Sequence, residues 1–263
     1  MWAGLFLVLF MVAFSLAAPW IGPEGYDDQN LMQRLQPPSK DYPLGTDQLG
    51  RSVLTRLAWG GRVSLSVALS AMAIGLVGGV AVGSLSGFYG GWVDRILMGL
   101  MDMLLAFPSI ILAIAIVAAL GPGLTNAMIA VGIRGIPTFA RLVRGQILSL
   151  KNQEFIQAAR AVGAGSARIL FRHLFPNLIA IVIVMASLDL AANILSLAAL
   201  SFLGLGAQPP IPDWGGMLDQ GRQYLRTAWW LGVFPGLAIM MVVLGFNLLG
   251  DGLRDILDPR QKR

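Results

Sequence analysis

The chain has 263 residues, of which 56% are hydrophobic and 13% are charged, and its mean hydropathy is +0.70. Soluble domains carry about 25% charged residues, so this composition excludes a large soluble domain and indicates one integral membrane domain. The chain contains no cysteine and one histidine, which excludes disulfides and metal clusters, and its net charge of +5 is attributed to arginines beside membrane spans rather than to nucleic-acid binding.

The first predicted element is an apolar segment at the N-terminus. A spanning helix needs about 20 mostly apolar residues, and residues 2–20 supply them. The pair Ala17-Ala18 would suit a signal-peptide cleavage site, but the positive residues that precede the apolar region of a signal peptide are missing. We therefore predict an uncleaved N-terminal anchor over residues 1–21, with a cleaved signal peptide as the alternative.

Residues 22–62 are predicted to form an extracytoplasmic loop that contains an amphipathic helix. In TDQLGRSVLTRLAWG, Leu49, Val53 and Leu57 share one helical face, whereas Arg51 and Arg56 lie elsewhere around the axis. Such a helix suits the membrane interface, with its apolar face toward the acyl chains. The sequence therefore predicts that this helix lies flat on the outer surface.

Five further spans are predicted after this loop, at residues 63–87, 97–120, 124–145, 178–200 and 230–250. Together they form an all-α membrane domain over residues 63–250. Basic residues cluster between spans four and five and again in a tail over residues 251–263, so the positive-inside rule places both segments, and with them both termini, in the cytoplasm. The basic residues of the 22–62 loop argue mildly against this orientation.

Span two carries glycines at intervals of four residues: Gly75, Gly79, Gly83 and Gly87. Glycines at this spacing form a smooth ridge along a helix, which lets a second helix approach closely. We predict packing against another helix of this chain, and contact with another subunit is the alternative.

Charged side chains also occur inside the predicted spans. An arginine at the centre of a span costs about 2.5–3.5 kcal/mol on insertion scales, so Arg134 in span four is expected to face a partner or water. Asp102 in span three and Asp189 in span five are the candidate ion-pair partners, and a cavity-lining charge is the alternative. Asn193 is expected to hydrogen-bond between helices or to contact a substrate.

The loop between spans four and five, NQEFIQAARAVGAGSARILFRHLFPN, predicts two short helices. The first covers residues 153–162 and ends where Gly163 adopts the left-handed conformation. The second covers residues 167–175 with Ser166 as its cap, and Pro176 begins span five.

Both loop helices are amphipathic, with Arg168 and Arg172 displaced from the apolar face of the second. Small alanines and a turn at mid-point favour docking into a protein groove. The alternative is that these helices lie on the anionic headgroups of lipids.

The segment QAARAVGA…HLFPN resembles the cytoplasmic loop of permease subunits in binding-protein-dependent, ATP-driven importers. That loop has Glu-Ala-Ala, three residues, Gly, and a Pro about thirteen residues further on; Gln157, Ala158, Ala159, Gly163 and Pro176 occupy these places. Gln157 stands where the family usually has Glu, which removes one charge from the surface.

Other segments, among them FYGGWVDRILMGLMDMLLAFPSIILAI and ALSFLGLGAQPPIPDWGGML, are similar to the second permease of dipeptide, oligopeptide and nickel importers. This resemblance covers about residues 43–260. Leu197 departs from it, because the family commonly has an acid there.

The resemblance implies a type I ABC importer core of five helices, preceded by the N-terminal helix, in the inner membrane of a bacterium. It implies four partner chains: a second, similar permease, two ATP-binding subunits and an extracytoplasmic substrate-binding protein. It implies no cofactor, and cargo that consists of peptides. The residues implied to couple to the ATPase are Gln157, Ala158, Ala159, Gly163, Arg168, Arg172 and Pro176, in a coupling loop at about residues 151–176.

Three alternatives stay open at this point. An importer of the same class could carry nickel or another non-peptide cargo. An ion-coupled secondary carrier would use intramembrane acids such as Asp102 and Asp189, but it has no need of a docking loop. An intramembrane enzyme lacks a nucleophile and base in this sequence. The phosphate-binding pattern G-x-x-x-x-G-K-[ST] is also missing, so ATP hydrolysis is expected on partner chains.

Overall fold

The computed structural model describes residues 1–257, and the regular secondary structure within them is helical, apart from an isolated bridge between Thr46 and Ser52. The predicted all-α class is confirmed. The helices in chain order are α1 (Trp2–Leu16), α2 (Ala18–Ile21), α3 (Val53–Tyr89), α4 (Gly91–Leu105), α5 (Ser109–Leu120), α6 (Leu124–Leu150), α7 (Glu154–Ala161), α8 (Ser166–Arg168), α9 (Phe175–Phe202), α10 (Trp214–Gly221) and α11 (Trp230–Leu257). Short 3-10 turns occupy Leu31–Gln33 and Arg222–Tyr224, and the cationic end of the predicted tail, residues 258–263, lies outside the described part.

Within residues 1–257, three helical rods are long and apolar enough to cross a membrane. They are α3, α11, and a continuous rod over Ser166–Phe202 that joins α8 to α9 through the π-helical segment Ile169–Leu174. α1 is a shorter apolar helix of 15 residues, and α6 has 27 residues but carries three arginines. These elements correspond to five of the six predicted spans.

The remaining predicted span, residues 97–120, is not one continuous helix. It consists of α4 and α5, whose axes are bent by 92° across residues 106–108. Pro108 explains the break, because its ring disfavours helical backbone at the preceding residue and it has no N–H to donate. The hydropathy pattern predicted the apolar length correctly but did not predict the bend between α4 and α5.

The prediction that an amphipathic helix in residues 22–62 lies on the membrane interface is wrong. Residues 53–62 form the first turns of α3, where Val53 and Leu57 are buried in the main core. Arg51 and Arg56 are 4% and 2% exposed, and both face the carboxylate of Asp47, at 2.7 Å and 3.4 Å from its Oδ2 atom. Paired arginines can be buried against protein, so the segment is part of the folded core and does not lie on lipid.

The four glycines of α3 that recur every four residues face α6. A methyl group added at Gly79 would lie 2.7 Å from the Ile136 carbonyl oxygen, and one added at Gly83 would lie 3.0 Å from Val143 Cβ. Gly75 and Gly87 face α6 backbone in the same way. The glycine ridge therefore sets the close approach of α3 and α6 within one chain.

The N-terminal helix packs antiparallel along the C-terminal one. A Cβ atom at Gly4 would meet the Gly245 carbonyl oxygen at 2.7 Å, and one at Gly252 would meet Met1 Cα at 2.8 Å. Met1 and Gly252 therefore lie at the same end of the bundle.

Candidate functional site

The loop between α6 and the Ser166–Phe202 rod contains the first helix that the sequence predicts. α7 runs over Glu154–Ala161, and Gly163 follows it with φ of 84°, the left-handed conformation that the sequence predicts. The Gly163 position is open, because no atom of the described residues 1–257 lies within 4 Å of where a Cβ would stand.

The second loop helix differs from its prediction in two ways. It begins at Ser166 with Gly165 in the cap position and no side-chain cap, so the predicted cap by Ser166 is wrong. It also continues without interruption into the spanning helix.

A π-helical segment makes this continuous joint possible. Pro176 has no N–H, so the usual bond from that residue to the carbonyl four residues earlier cannot form. Instead the Phe175 N–H donates to the Leu170 carbonyl five residues earlier, and the Asn177 side chain donates to the His173 carbonyl at 2.7 Å. The rod therefore changes its helical register at the point where the loop meets the span.

One face of α7 is fixed to the membrane domain. Ile156 is fully buried and Ala159 is 8% exposed. Ile156 belongs to a compact apolar cluster with side chains from the ends of two spans: Val143, Ile147, Ile169, Leu174 and Leu178. Displacement of α7 would therefore move the end of α6 and the base of the Ser166–Phe202 rod.

The other face of α7 and its neighbours is exposed, and we call it the coupling surface. It combines apolar side chains with arginines, and its exposed members are Phe155, Gln157, Ala158, Arg160, Val162, Gly163, Arg168, Phe171, Arg172 and Pro176. Six of the seven residues implied by the family resemblance lie on it. The seventh, Ala159, is buried. Gln157 donates its side-chain N–H to the Asn152 carbonyl at 3.0 Å.

The intramembrane polar residues form a chain of hydrogen bonds between α6 and α9. Arg134 Nη2 donates to Asn193 Oδ1 at 2.6 Å, and Asn193 Nδ2 donates to Asp189 Oδ2 at 2.8 Å. Arg134 forms no direct ion pair with Asp189 within residues 1–257, because Asn193 lies between them. Asp102 pairs with Arg141 instead, at 2.6 Å.

A second ionic contact was not predicted from the sequence. Arg144 on α6 donates to both carboxylate oxygens of Asp94 on α4, at 2.6 Å and 2.7 Å, and Lys151 donates to the Gly87 carbonyl at 2.9 Å. These bonds join the ends of α3, α4 and α6 beside the coupling surface. The available signal was Asp94 in the first turn of α4, where an acid is favoured by the helix dipole.

Family comparisons agree with this architecture. Residues 79–263 match the family described as binding-protein-dependent transport system inner membrane component, and residues 1–38 match the N-terminal TM domain of oligopeptide transport permease C.

Three curated relatives align with almost the whole chain. A dipeptide transport system permease protein of Alkalihalophilus pseudofirmus is 48% identical over 98% of this chain and 85% of its own length. A glutathione transport system permease protein of Pectobacterium atrosepticum is 47% identical over 99% of this chain and 86% of its own length. A di/tripeptide transport system permease protein of Pseudomonas aeruginosa is 45% identical over 98% of this chain and 88% of its own length.

A solved structure shares the fold. The inward-facing MetNI methionine ABC transporter superposes with a TM-score of 0.63 over 77% of this chain and 97% of the matched chain, at 21% identity.

Proposed function

The chain belongs to the family of binding-protein-dependent transport system inner membrane components, and on that premise we propose that it carries small peptides as one permease of an ATP-driven importer. The observation that supports the cargo most directly is the set of full-length relatives at 45–48% identity. Their names state dipeptides, glutathione and di/tripeptides, all of them small peptides. The preference over nickel rests on these names.

We further propose that the chain works in an assembly of five proteins. A second permease completes the path, two ATP-binding subunits lie beneath it in the cytoplasm, and a substrate-binding protein docks outside. The ATPase sites belong to the partners, because this sequence has no phosphate-binding G-x-x-x-x-G-K-[ST] loop. Both termini are placed in the cytoplasm, in line with the packing of Met1 beside Gly252 at one end of the bundle.

The coupling surface is the contact through which the ATPase subunits act on this chain. Exposed apolar residues such as Phe155 and Phe171 suit a groove in each ATPase partner, and Arg160 and Arg172 suit acids at its rim. ATP draws the two ATPase subunits together, and a docked α7 moves with its subunit. Because Ile156 is fixed in the apolar cluster, this displacement tilts α6 and the Ser166–Phe202 rod. The bound nucleotide then stabilises one orientation of the path over the other.

Site-specific cross-linking tests the contact between the coupling surface and an ATPase subunit. The chain has no cysteine, so Ala158→Cys introduces a single thiol on the exposed face of α7. We expect this thiol to cross-link to an ATPase subunit in the assembled importer. Leu195→Cys, exposed on the membrane part of α9, is the matched control and should not cross-link.

Transport in proteoliposomes tests the function itself. We expect ATP-dependent uptake of L-alanyl-L-alanine by the complete assembly and none without the ATPase subunits. Uptake of nickel but not peptide, or peptide uptake that persists without the ATPases, would contradict the proposal.

A further inference from the structure

The side of α6 that faces away from α3 is polar along much of its length. Arg134, Thr138, Arg141, Gly145 and Ser149 fall within about 80° of arc on a helix of 3.6 residues per turn. The last three positions of this α6 stripe are exposed, and the first two are half-buried. A face toward lipid would carry apolar side chains, so this composition indicates contact with water or with another protein.

Neighbouring helices flank the α6 stripe without covering it. Asp102 of α4 pairs with Arg141 on one side, and Asn193 of α9 holds Arg134 on the other. The glycine ridge of α3 occupies the opposite face of α6, where Gly79 and Gly83 approach the backbone. The stripe therefore lies between the contacts that α6 makes with α4 and with α9, and we call this strip of surface the groove.

Arg134 lies in this groove with most of its hydrogen-bonding capacity free. A guanidinium carries five N–H donors in a planar fork. Within residues 1–257 its one hydrogen-bond partner is Asn193, and the Nε atom is buried without any partner. The buried Nε is closed to a ligand, so the donors that remain for an acceptor from outside this chain are those of Nη1, which no hydrogen bond of the described residues occupies.

We propose that this acceptor is a carboxylate of the transported peptide, which Arg134 binds as the cargo moves along the α6 stripe. The inference rests on the proposed transport of peptides and adds a residue that selects the cargo. A guanidinium fork matches the two oxygens of a carboxylate. Asp189 stands behind Asn193 and offsets part of the positive charge, so the carboxylate is held weakly enough to leave, as conduction requires.

Thiol labelling in the assembled importer tests whether the groove carries water and attracts anions. Thr138→Cys places a thiol one turn from Arg134, and we expect it to react faster with an anionic methanethiosulfonate reagent than with a cationic one. Adding Arg134→Gln should remove that preference. Ile183→Cys, on an exposed apolar position of α9, is the control and should react with neither. Labelling of Thr138→Cys no faster than that control would overturn the proposal.

Uptake of a paired cargo tests the carboxylate. Uptake of L-alanyl-L-alanine and of its C-terminal amide is compared in proteoliposomes. The binding protein is the same throughout, so its own preference between the two cargoes cancels when a variant is compared with wild type. Arg134→Gln should lower uptake of the free acid roughly tenfold, the size of a lost charged hydrogen bond, and leave the amide unchanged. Arg95→Gln, whose side chain lies over Trp92, is the control.

Other outcomes of the uptake experiment are distinguishable. Equal loss of both cargoes in Arg134→Gln would indicate that the arginine binds an acid of the second permease, and it would overturn the proposal. Absence of ATP-driven peptide uptake by wild type would refute the proposed function itself, while the labelling result would still report on the groove.

Discussion

Gly163 has a role that depends on its backbone alone. Its φ of 84° lies in the region that residues with a Cβ rarely adopt, and the space around it is open. A side chain there would therefore meet no neighbour but would strain the turn between α7 and the Ser166–Phe202 rod. The direction of α7 relative to the Ser166–Phe202 rod therefore depends on the conformation of Gly163.

We predict that Gly163→Val uncouples peptide uptake from ATP hydrolysis. The left-handed conformation costs a residue with a Cβ about 1–2 kcal/mol, so the turn changes and α7 no longer aligns with its groove. ATPase activity and uptake are measured together in proteoliposomes, and uptake per ATP should fall. Gly165→Val is the matched control, because Gly165 has φ of −69° and open surroundings. Equal coupling in the two variants would refute this role.

Among the elements, the α3–α6 pair is the rigid part of the bundle. The glycines at four-residue spacing let the two backbones approach within direct contact, and Lys151 of α6 donates to the Gly87 carbonyl of α3 at the end that holds the coupling surface. α4 and α5, broken at Pro108, pack beside this pair rather than within it. Under the proposed coupling, a displacement of α7 would therefore reach this closely packed pair.

We predict that Gly79→Ala destabilises the protein in spite of its higher helix propensity. Alanine is favoured over glycine by about 1 kcal/mol in a helix, but the added methyl would lie 2.7 Å from the Ile136 carbonyl oxygen. The overpacking cost is about 1–3 kcal/mol, so the thermal midpoint in detergent should fall. Gly99→Ala, on α4 with no atom within 4 Å, is the control and should not lower the midpoint. A midpoint for Gly79→Ala at or above wild type would show that α3 can move away from α6.

At the scale of the whole molecule, the bundle has two distinct ends. One end holds the coupling surface and the Asp94–Arg144 contact. The other end holds the ion-pair cluster of Asp47, Arg51 and Arg56, where Trp230 Nε1 also donates to the Thr46 carbonyl at 3.1 Å. One end suits ATPase partners and the other suits a binding protein outside.

Labelling in intact cells tests this orientation. We predict that Ser39→Cys reacts with a membrane-impermeant thiol reagent added outside, because residues 22–52 lie at the end of the bundle that we propose to be extracytoplasmic. Ser166→Cys, which is also exposed, should react only after the membrane is permeabilised. The reverse pattern would invert the topology, and it would place the coupling surface away from ATP.

The apolar lengths of the sequence determined the all-α membrane class, because crossing lipid requires long runs of apolar residues whatever their partners. Local chemistry also determined the turn at Gly163, since a left-handed residue after a helix depends on that residue alone. The spacing of the α3 glycines indicated close packing, but several helices could have met that ridge.

Only the tertiary structure decided which surfaces meet. The amphipathic pattern of α7 did not identify its buried face, because Ile156 and Ala159 are buried whereas the apolar side chains of Phe155, Ala158 and Val162 are exposed. Asp102 and Asp189 were the candidate partners of Arg134, but Asn193 lies between Arg134 and Asp189 and hydrogen-bonds to both. A helical pattern defines the sides of one helix, whereas burial and pairing depend on where the other helices lie, and that position results from packing of the whole chain.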